Sequence, residues 1–416
     1  MAEQERPWRP AALAEIESDT DAPPGFNVVT FAGIGMVARM LEPHDLTNTD
    51  DWKSLVIRLE SWGEVPEPDS IVSISTATTN RGLVAKLSAD SDWSAEFLPW
   101  GSDGRLRARA KAAPKGSRIP LGGYSWQGTD LIIIRSADST SSDSASEVTK
   151  ALEADEMGTA QEKLRNAGAV LGRYHTKAMA ARTTPPDASR WNARNQWLEE
   201  TLHATYIWRA PYSKNQPCTL ALGDARLSDV SGDSLRIGRP RLSDALRTST
   251  CEFPAMRDLA SLVHDLSRIH YSTSTNLELN PLRSALIDGW KSTAPSDWAS
   301  DEAFYSHRGG MAIWEYEQCL LDVLEATSHQ SGAPEPAVTT LAYVKAYQKR
   351  MFSNRMFSSL SVMAAFFGIA SLVNTFPPTM DEAPIPIACI ALSFWLYRMY
   401  KRLSPPPERP FTDLGK

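Results

Sequence analysis

The sequence predicts an α+β protein that ends in a two-helix membrane hairpin. Three observations carry this prediction. Strand-like segments crowd the first third of the 416 residues, helical periodicity takes over beyond a polar Ser/Asp stretch, and two apolar runs stand near the C-terminus.

Residues 1–24 end in DTDAPP and read as a flexible lead-in. FNVVTFAGIGMVARML follows, strand-like in composition around Gly33 and Gly35 but open between strand and helix by its period. IVSIST and RGLVAKLS are β-rich runs that predict a hairpin turning near Thr79 and Asn80. RLRARAKAA, IPLGGYSW and TDLIIIR continue the β-rich signal to Arg135, so residues 25–135 are expected to form a mostly β unit with one helix or more. Composition then changes. SADSTSSDSASE holds no large apolar residue and cannot bury a face, so 136–150 is expected to be a loop or linker.

Residues 151–335 read as helical. In TAQEKLRNAGAVLGRYHTKAMAAR, Leu164, Ala167, Val170, Leu171, Tyr174 and Ala178 recur three or four apart as one buried stripe. WNARNQWLEETLHATY, RDLASLVHDLSRIHY, PLRSALIDGWKST, the stretch from Glu302 to Thr327, and TTLAYVKAYQKRMF supply further helices, with no internal repeat apparent.

Residues 336–416 form the expected anchor. Segment 356–376 is free of charge, and at about 1.5 Å per residue its length suffices for a hydrocarbon core of about 30 Å. Segment 384–400 is interrupted by Arg398, so it either spans with Arg398 at the interface beside Tyr397 and Tyr400, or enters as a re-entrant segment. Lys345, Lys349, Arg350 and Arg355 precede the first run, Arg398, Lys401 and Arg402 close the second, and the connection holds Asp381 and Glu382 with no base. Basic flanks stay on the cytoplasmic side, so both termini and the main body are expected there, with the lipid bilayer as one partner.

The remaining chemistry is mostly exclusion. The chain carries 43 Lys/Arg against 50 Asp/Glu, and its basic residues gather at the membrane boundary, which leaves an acidic body poorly suited to nucleic acid. Cys218, Cys251, Cys319 and Cys389 form no CxxC pair, and the seven histidines include no HExxH. Neither a Gly-x-Ser-x-Gly elbow nor a Gly-Lys-Ser/Thr phosphate loop occurs.

Four short segments come in a telling order: LGRYH (Leu171 to His175), WLEETL (Trp197 to Leu202), LGDARLSDV (Leu222 to Val230) and RDLASLVHDL (Arg257 to Leu266). Their succession resembles the aminoglycoside-phosphotransferase-like branch of the protein-kinase-like fold. The resemblance implies a two-lobed architecture, with a β-rich N-lobe and a helical C-lobe, ahead of the hairpin. It also implies a catalytic loop of the form His-Gly-Asp-x-x-x-x-Asn, in which Asp224 stands at the catalytic Asp, Leu222 replaces the orienting His and Asp229 replaces the metal-binding Asn. LRIGRPRLSDA aligns with the strand that delivers the second metal-binding carboxylate, and Arg239 then stands in its place; a register shift offers Asp244 instead. Arg236, Arg239 and Arg241 either meet an anionic ligand or partner carboxylate, or line a solvated face. Lys86, with Glu96 as partner, is the candidate to anchor a nucleotide. His175, Arg257 and Asp258 are expected to support the fold.

The expectation is therefore a membrane-anchored pseudokinase-like protein, without cofactor, that acts as a scaffold or assembly factor through a protein partner. The alternative is an active ATP- and Mg2+-dependent phosphotransferase for a small molecule or lipid headgroup, with Asp224 as base, Asp229 and Asp244 on Mg2+ and Lys86 on ATP.

Overall fold

Among the described residues, nine strands share one antiparallel sheet: β1 (Ile16–Glu17), β2 (Phe26–Phe31), β3 (Ile34–Arg39), β4 (Glu60–Gly63), β5 (Ser73–Thr79), β6 (Gly82–Ser88), β7 (Asp92–Ser102), β8 (Gly122–Trp126) and β9 (Thr129–Ser136). This computed structural model describes residues 16–17, 21–31, 34–79, 82–102, 105–137, 142–181, 188–202, 204, 218–219, 222–238, 241–247, 253–300, 311–328, 332–374 and 383–403. The order is β1-β2-β3-β7-β9-β8-β4, and β5 joins through β6 to β7. β7 is the hub: it pairs with β6 along its first half, with β9, and with β3 at Trp100.

The segment left open in type is the hairpin β2–β3, in which Val29 lies opposite Met36. β5 and β6 form the other expected hairpin, whose turn at residues 80–81 lies outside the described residues. One sheet face is covered by α1 (Thr49–Val56), where Asn48 caps the first turn and fully buried Trp52 meets Phe97 and Tyr124 edge-on.

Two elements differ from expectation. RLRARAKA is helix α2 (Arg105–Ala112), not strand. Its alternation imitates a strand period, but Arg, Leu, Ala and Lys are strong helix formers and no β-branched residue opposes them. The Ser/Asp stretch is a loop only in part. Asp143 accepts the Ser146 N–H and starts α3 (Ser144–Glu153), which buries Val148, Ala151 and Leu152.

The helical part contains α4 (Met157–Ala181), α5 (Ala188–Thr201), α6 (Leu242–Leu246), α7 (Ala255–Ser272), α8 (Leu279–Thr293), α9 (Met311–Ser328) and α10 (Ala337–Ala342). Two small ribbons join them, β10 (Cys218–Thr219) with β13 (Phe253–Pro254) and β11 (Val230–Ser231) with β12 (Ser234–Leu235). The stripe predicted on α4 is buried at all six positions. α4 and α8 approach closely because Gly168 and Gly172 face α8 and Gly289 faces α4; a Cβ on Gly172 would lie 2.7 Å from the Trp290 carbonyl oxygen. Phe31, Met36 and Trp100 of the sheet share one core with Leu198 of α5, Leu320 of α9 and Leu341 of α10, so the β2–β3 hairpin is anchored in the helical part.

α11 (Val344–Asn374) starts in that same core, through buried Val344, and continues without a break into the first apolar run. It packs antiparallel on α12 (Pro384–Leu403), which contains the second run. Ser361 and Ser393 exchange hydroxyl-to-carbonyl hydrogen bonds of 2.8 Å each. One heptad along, Gly368 meets Pro386 and Ile390, and one heptad back Asn354 is buried. The outward faces of both helices are apolar and exposed, as at Phe366 and Phe394. Among the described residues one helix, α11, is long and apolar enough to cross a membrane.

Candidate functional site

The loop that follows Leu222 is braced from three sides. Gly223 turns the chain at φ 93°, and the Leu222 N–H donates to Asp258 Oδ1 at 3.1 Å. Asp258 Oδ2 lies 3.2 Å from His175 Nε2, and the Trp290 indole N–H donates to His175 Nδ1 at 2.9 Å. Arg257 grips Glu317 with two hydrogen bonds of 2.7 and 3.1 Å and donates to the Gly223 carbonyl at 3.4 Å. The three residues expected to support the fold therefore converge on the loop that carries Asp224.

Asp224 is 2 % exposed and clamped by two guanidiniums: Arg226 Nε donates to Oδ2 at 2.6 Å and Arg241 Nη1 to Oδ1 at 3.3 Å, with the Ser261 hydroxyl 3.5 Å from Oδ1. The two arginines open identical tetrapeptides, Arg226-Leu-Ser-Asp229 and Arg241-Leu-Ser-Asp244. In each the Asp carboxylate accepts the backbone N–H of its own Arg, at 3.0 Å for Asp229 and 3.1 Å for Asp244. The copies form like turns, a 3-10 turn at Leu227–Asp229 and α6, and each aims its Arg at Asp224. This duplicated RLSD is not legible as a repeat in the sequence, because a tetrapeptide is too short to register as one.

Arg241 is the centre of the cluster. Its Nε and Nη2 donate to Glu325 Oε1 and Oε2 at 2.7 and 2.8 Å, Nη2 to Asp322 Oδ1 at 2.7 Å, and Nη1 to Gln318 Oε1 at 3.3 Å. Burial works against its charge, but Glu325, Asp224 and Asp322 raise its pKa well above the usual arginine value. Burial likewise pushes Asp322 up, and Arg268, His264 and Arg241 outweigh it, holding that carboxyl well below the usual range. For Asp244 burial is outweighed by Arg194, Arg109 and Arg257, and its pKa is lowered. Arg194 Nη2 reaches Asp244 Oδ1 at 3.0 Å.

The solvated-face alternative for the arginines fails where it can be read. Arg241 is 3 % exposed, and Arg236 donates to Glu96 at 2.6 Å across the junction between sheet and helical part. Arg239 lies outside the described residues. Glu96 is also met by Arg135 Nε at 3.2 Å, and Lys86, its expected partner, is exposed on the neighbouring strand β6, where it lies opposite Ser94 while Val84 lies opposite Glu96. Glu96 stands on the strand that leads into α2, one strand later than the expected lysine.

The set Asp224, Asp229 and Asp244 does not suit magnesium. Asp229 and Asp244 are committed to backbone N–H groups, Asp244 to Arg194 as well, and Asp224 to two cations. Among the described residues no group of three or more His, Cys, Asp or Glu is placed to hold a metal ion.

No protein-family model matches this chain, and no curated protein matches it. Solved structures of similar shape include a glucosamine kinase in complex with glucosamine, ADP and inorganic phosphate, at 13 % identity and TM-score 0.45, covering 81 % of this chain and 95 % of that one. Two further glucosamine kinase crystal forms align at 12 % identity, one with TM-score 0.44 over 82 % of this chain and 95 % of that one, the other with TM-score 0.45 over 80 % and 94 %. At these values the likeness assigns no activity to this chain.

Proposed function

We propose that this chain is a membrane-anchored, pseudokinase-like protein whose phosphotransfer position is closed by its own arginines and whose body works through contacts with a protein partner, as a scaffold or assembly factor. The observation that carries this reading is Asp224, 2 % exposed between Arg226 and Arg241. A catalytic base must reach its hydroxyl at about 2.6–3.2 Å. Here a guanidinium stands on each carboxyl oxygen. Support for the kinase-like ancestry is the convergence of the LGRYH and RDLA segments on the Asp224 loop through His175, Asp258 and Arg257.

The anchor rests on the uncharged run within α11, the basic residues that flank both apolar segments, and the apolar outward faces of α11 and α12. Both termini and the body then lie on the cytoplasmic side. The test is a thermal melt of the full chain in detergent with millimolar MgATP. Binding to the native state alone raises the melting temperature, by an amount set by occupancy. No shift is expected; a shift lost in Asp224→Ala and Asp244→Ala would establish a nucleotide site at these residues and remove the scaffold-only reading.

A further inference from the structure

Asp224, one of the residues that misfit magnesium, joins three side chains of α9 around a different cation. Gln318, Asp322 and Glu325 stand four and three residues apart, so they project from one face of α9. Asp224 faces them from its loop, and the guanidinium of Arg241 touches all four side chains through five oxygens at 2.7–3.3 Å. A ring of carboxylate and amide oxygens drawn from a loop and a helix face is how proteins surround hard divalent cations.

We infer that Arg241 is a tethered replacement for a divalent cation in a pocket built by Asp224, Gln318, Asp322 and Glu325. The inference rests on the non-catalytic reading of Asp224. Arg241 belongs to the chain, so the pocket is loaded in every folded molecule, whatever the supply of metal or nucleotide. Guanidinium contacts of this length hold the oxygens too far apart for a metal, which needs about 2.0–2.6 Å, so the pocket in its present shape selects its own occupant. Once the guanidinium is removed, Asp224, Asp322 and Glu325 lose their shared counter-charge, and the oxygens that faced it, Asp224 Oδ1, Asp322 Oδ1 and both of Glu325, are left to attract an ion. Glu325 is the one carboxylate of the three with substantial exposure, its side chain 27 % accessible, and it supplies the entry path. Other charged groups face the pocket from the rim: Arg226 on Asp224, and Arg268 and His264 on Asp322. They stay in place when Arg241 is changed.

The experiment uses the full chain in detergent, followed by tryptophan fluorescence during heating, with 10 mM EDTA or with about 10 mM MnCl2 or CaCl2, well above the weak affinity of an unevolved site. Wild-type protein is expected to melt at the same temperature in all three. Arg241→Met is expected to melt about 10 °C lower in EDTA, because one partner of a buried ion cluster has been removed, and to regain at least half of that loss with either metal. If Arg241→Met is recovered folded only from cells grown and lysed in manganese, stripping with EDTA should unfold it. Arg241→Met combined with Asp322→Asn removes one of the charges left without that counter-charge, so it should fold without metal and lose the response. The inference is overturned if Arg241→Met melts like wild type, if its loss is untouched by either metal, or if the double variant keeps the full metal response. A wild-type shift with MgATP but not with MnCl2 strikes the scaffold reading of Asp224; failure of metal recovery in Arg241→Met strikes this inference alone.

Discussion

Trp290 can only donate, so His175 Nδ1 accepts from it and the proton of the imidazole lies on Nε2, toward Asp258. That single indole N–H therefore fixes the tautomer that donates to one oxygen of Asp258, while the other oxygen accepts the Leu222 N–H and so holds the loop of Asp224. Trp290→Phe keeps an aromatic ring of smaller volume and leaves the buried His175 Nδ1 without its donor, and should cost at least about 1–3 kcal/mol, read from urea denaturation of the full chain in detergent. His175, Asp224, Arg257 and Asp258 are legible in the sequence because each stands in a short run whose order can be recognised. Gln318, Asp322 and Glu325 are not. They belong to a helix that reads as one more amphipathic segment, and only the folded chain brings its polar face to Arg241.

At the scale of elements, the Gly of LGRYH has a steric reason. Gly172 lets α8 come close enough for Trp290 to reach His175, and a methyl group there meets the Trp290 carbonyl and Thr293. Gly172→Ala should destabilise by about 1–3 kcal/mol, with a lower melting temperature that Gly158→Ala, where nothing lies within 4 Å, does not reproduce. The strands and long helices follow from apolar period, which is why α4 and the β5–β6 hairpin are placed by sequence alone. α2 misleads because alternating Arg and small residues mimic a strand while their propensity is helical. α3 misleads because a Ser/Asp-rich stretch supplies its own cap: Asp143 turns the end of a loop into the start of a helix.

At the scale of the molecule, the body is held by buried ion pairs that join its parts, and this makes stability depend on pH in a defined direction. Asp322 and Asp244 have folded-state pKa values below their unfolded ones, so their contribution is fully present above the unfolded carboxylate value of about 4 and is lost as pH falls through the folded value. The melting temperature should hold from pH 7 to about pH 5 and fall below about pH 4, and Asp322→Asn should start lower and fall less steeply over the same interval. The unbroken run of α11 has a mechanical meaning under the proposed anchor. From Val344, set in the core, to Arg355 the helix is a strut of about 18 Å before the uncharged stretch begins. With that anchor, a head mounted on such a strut would have no hinge along this stretch. It would stand at a set height and present the same flank to the lipid surface in every copy, so whatever docked on it would have to arrive at that altitude and from the sides left open.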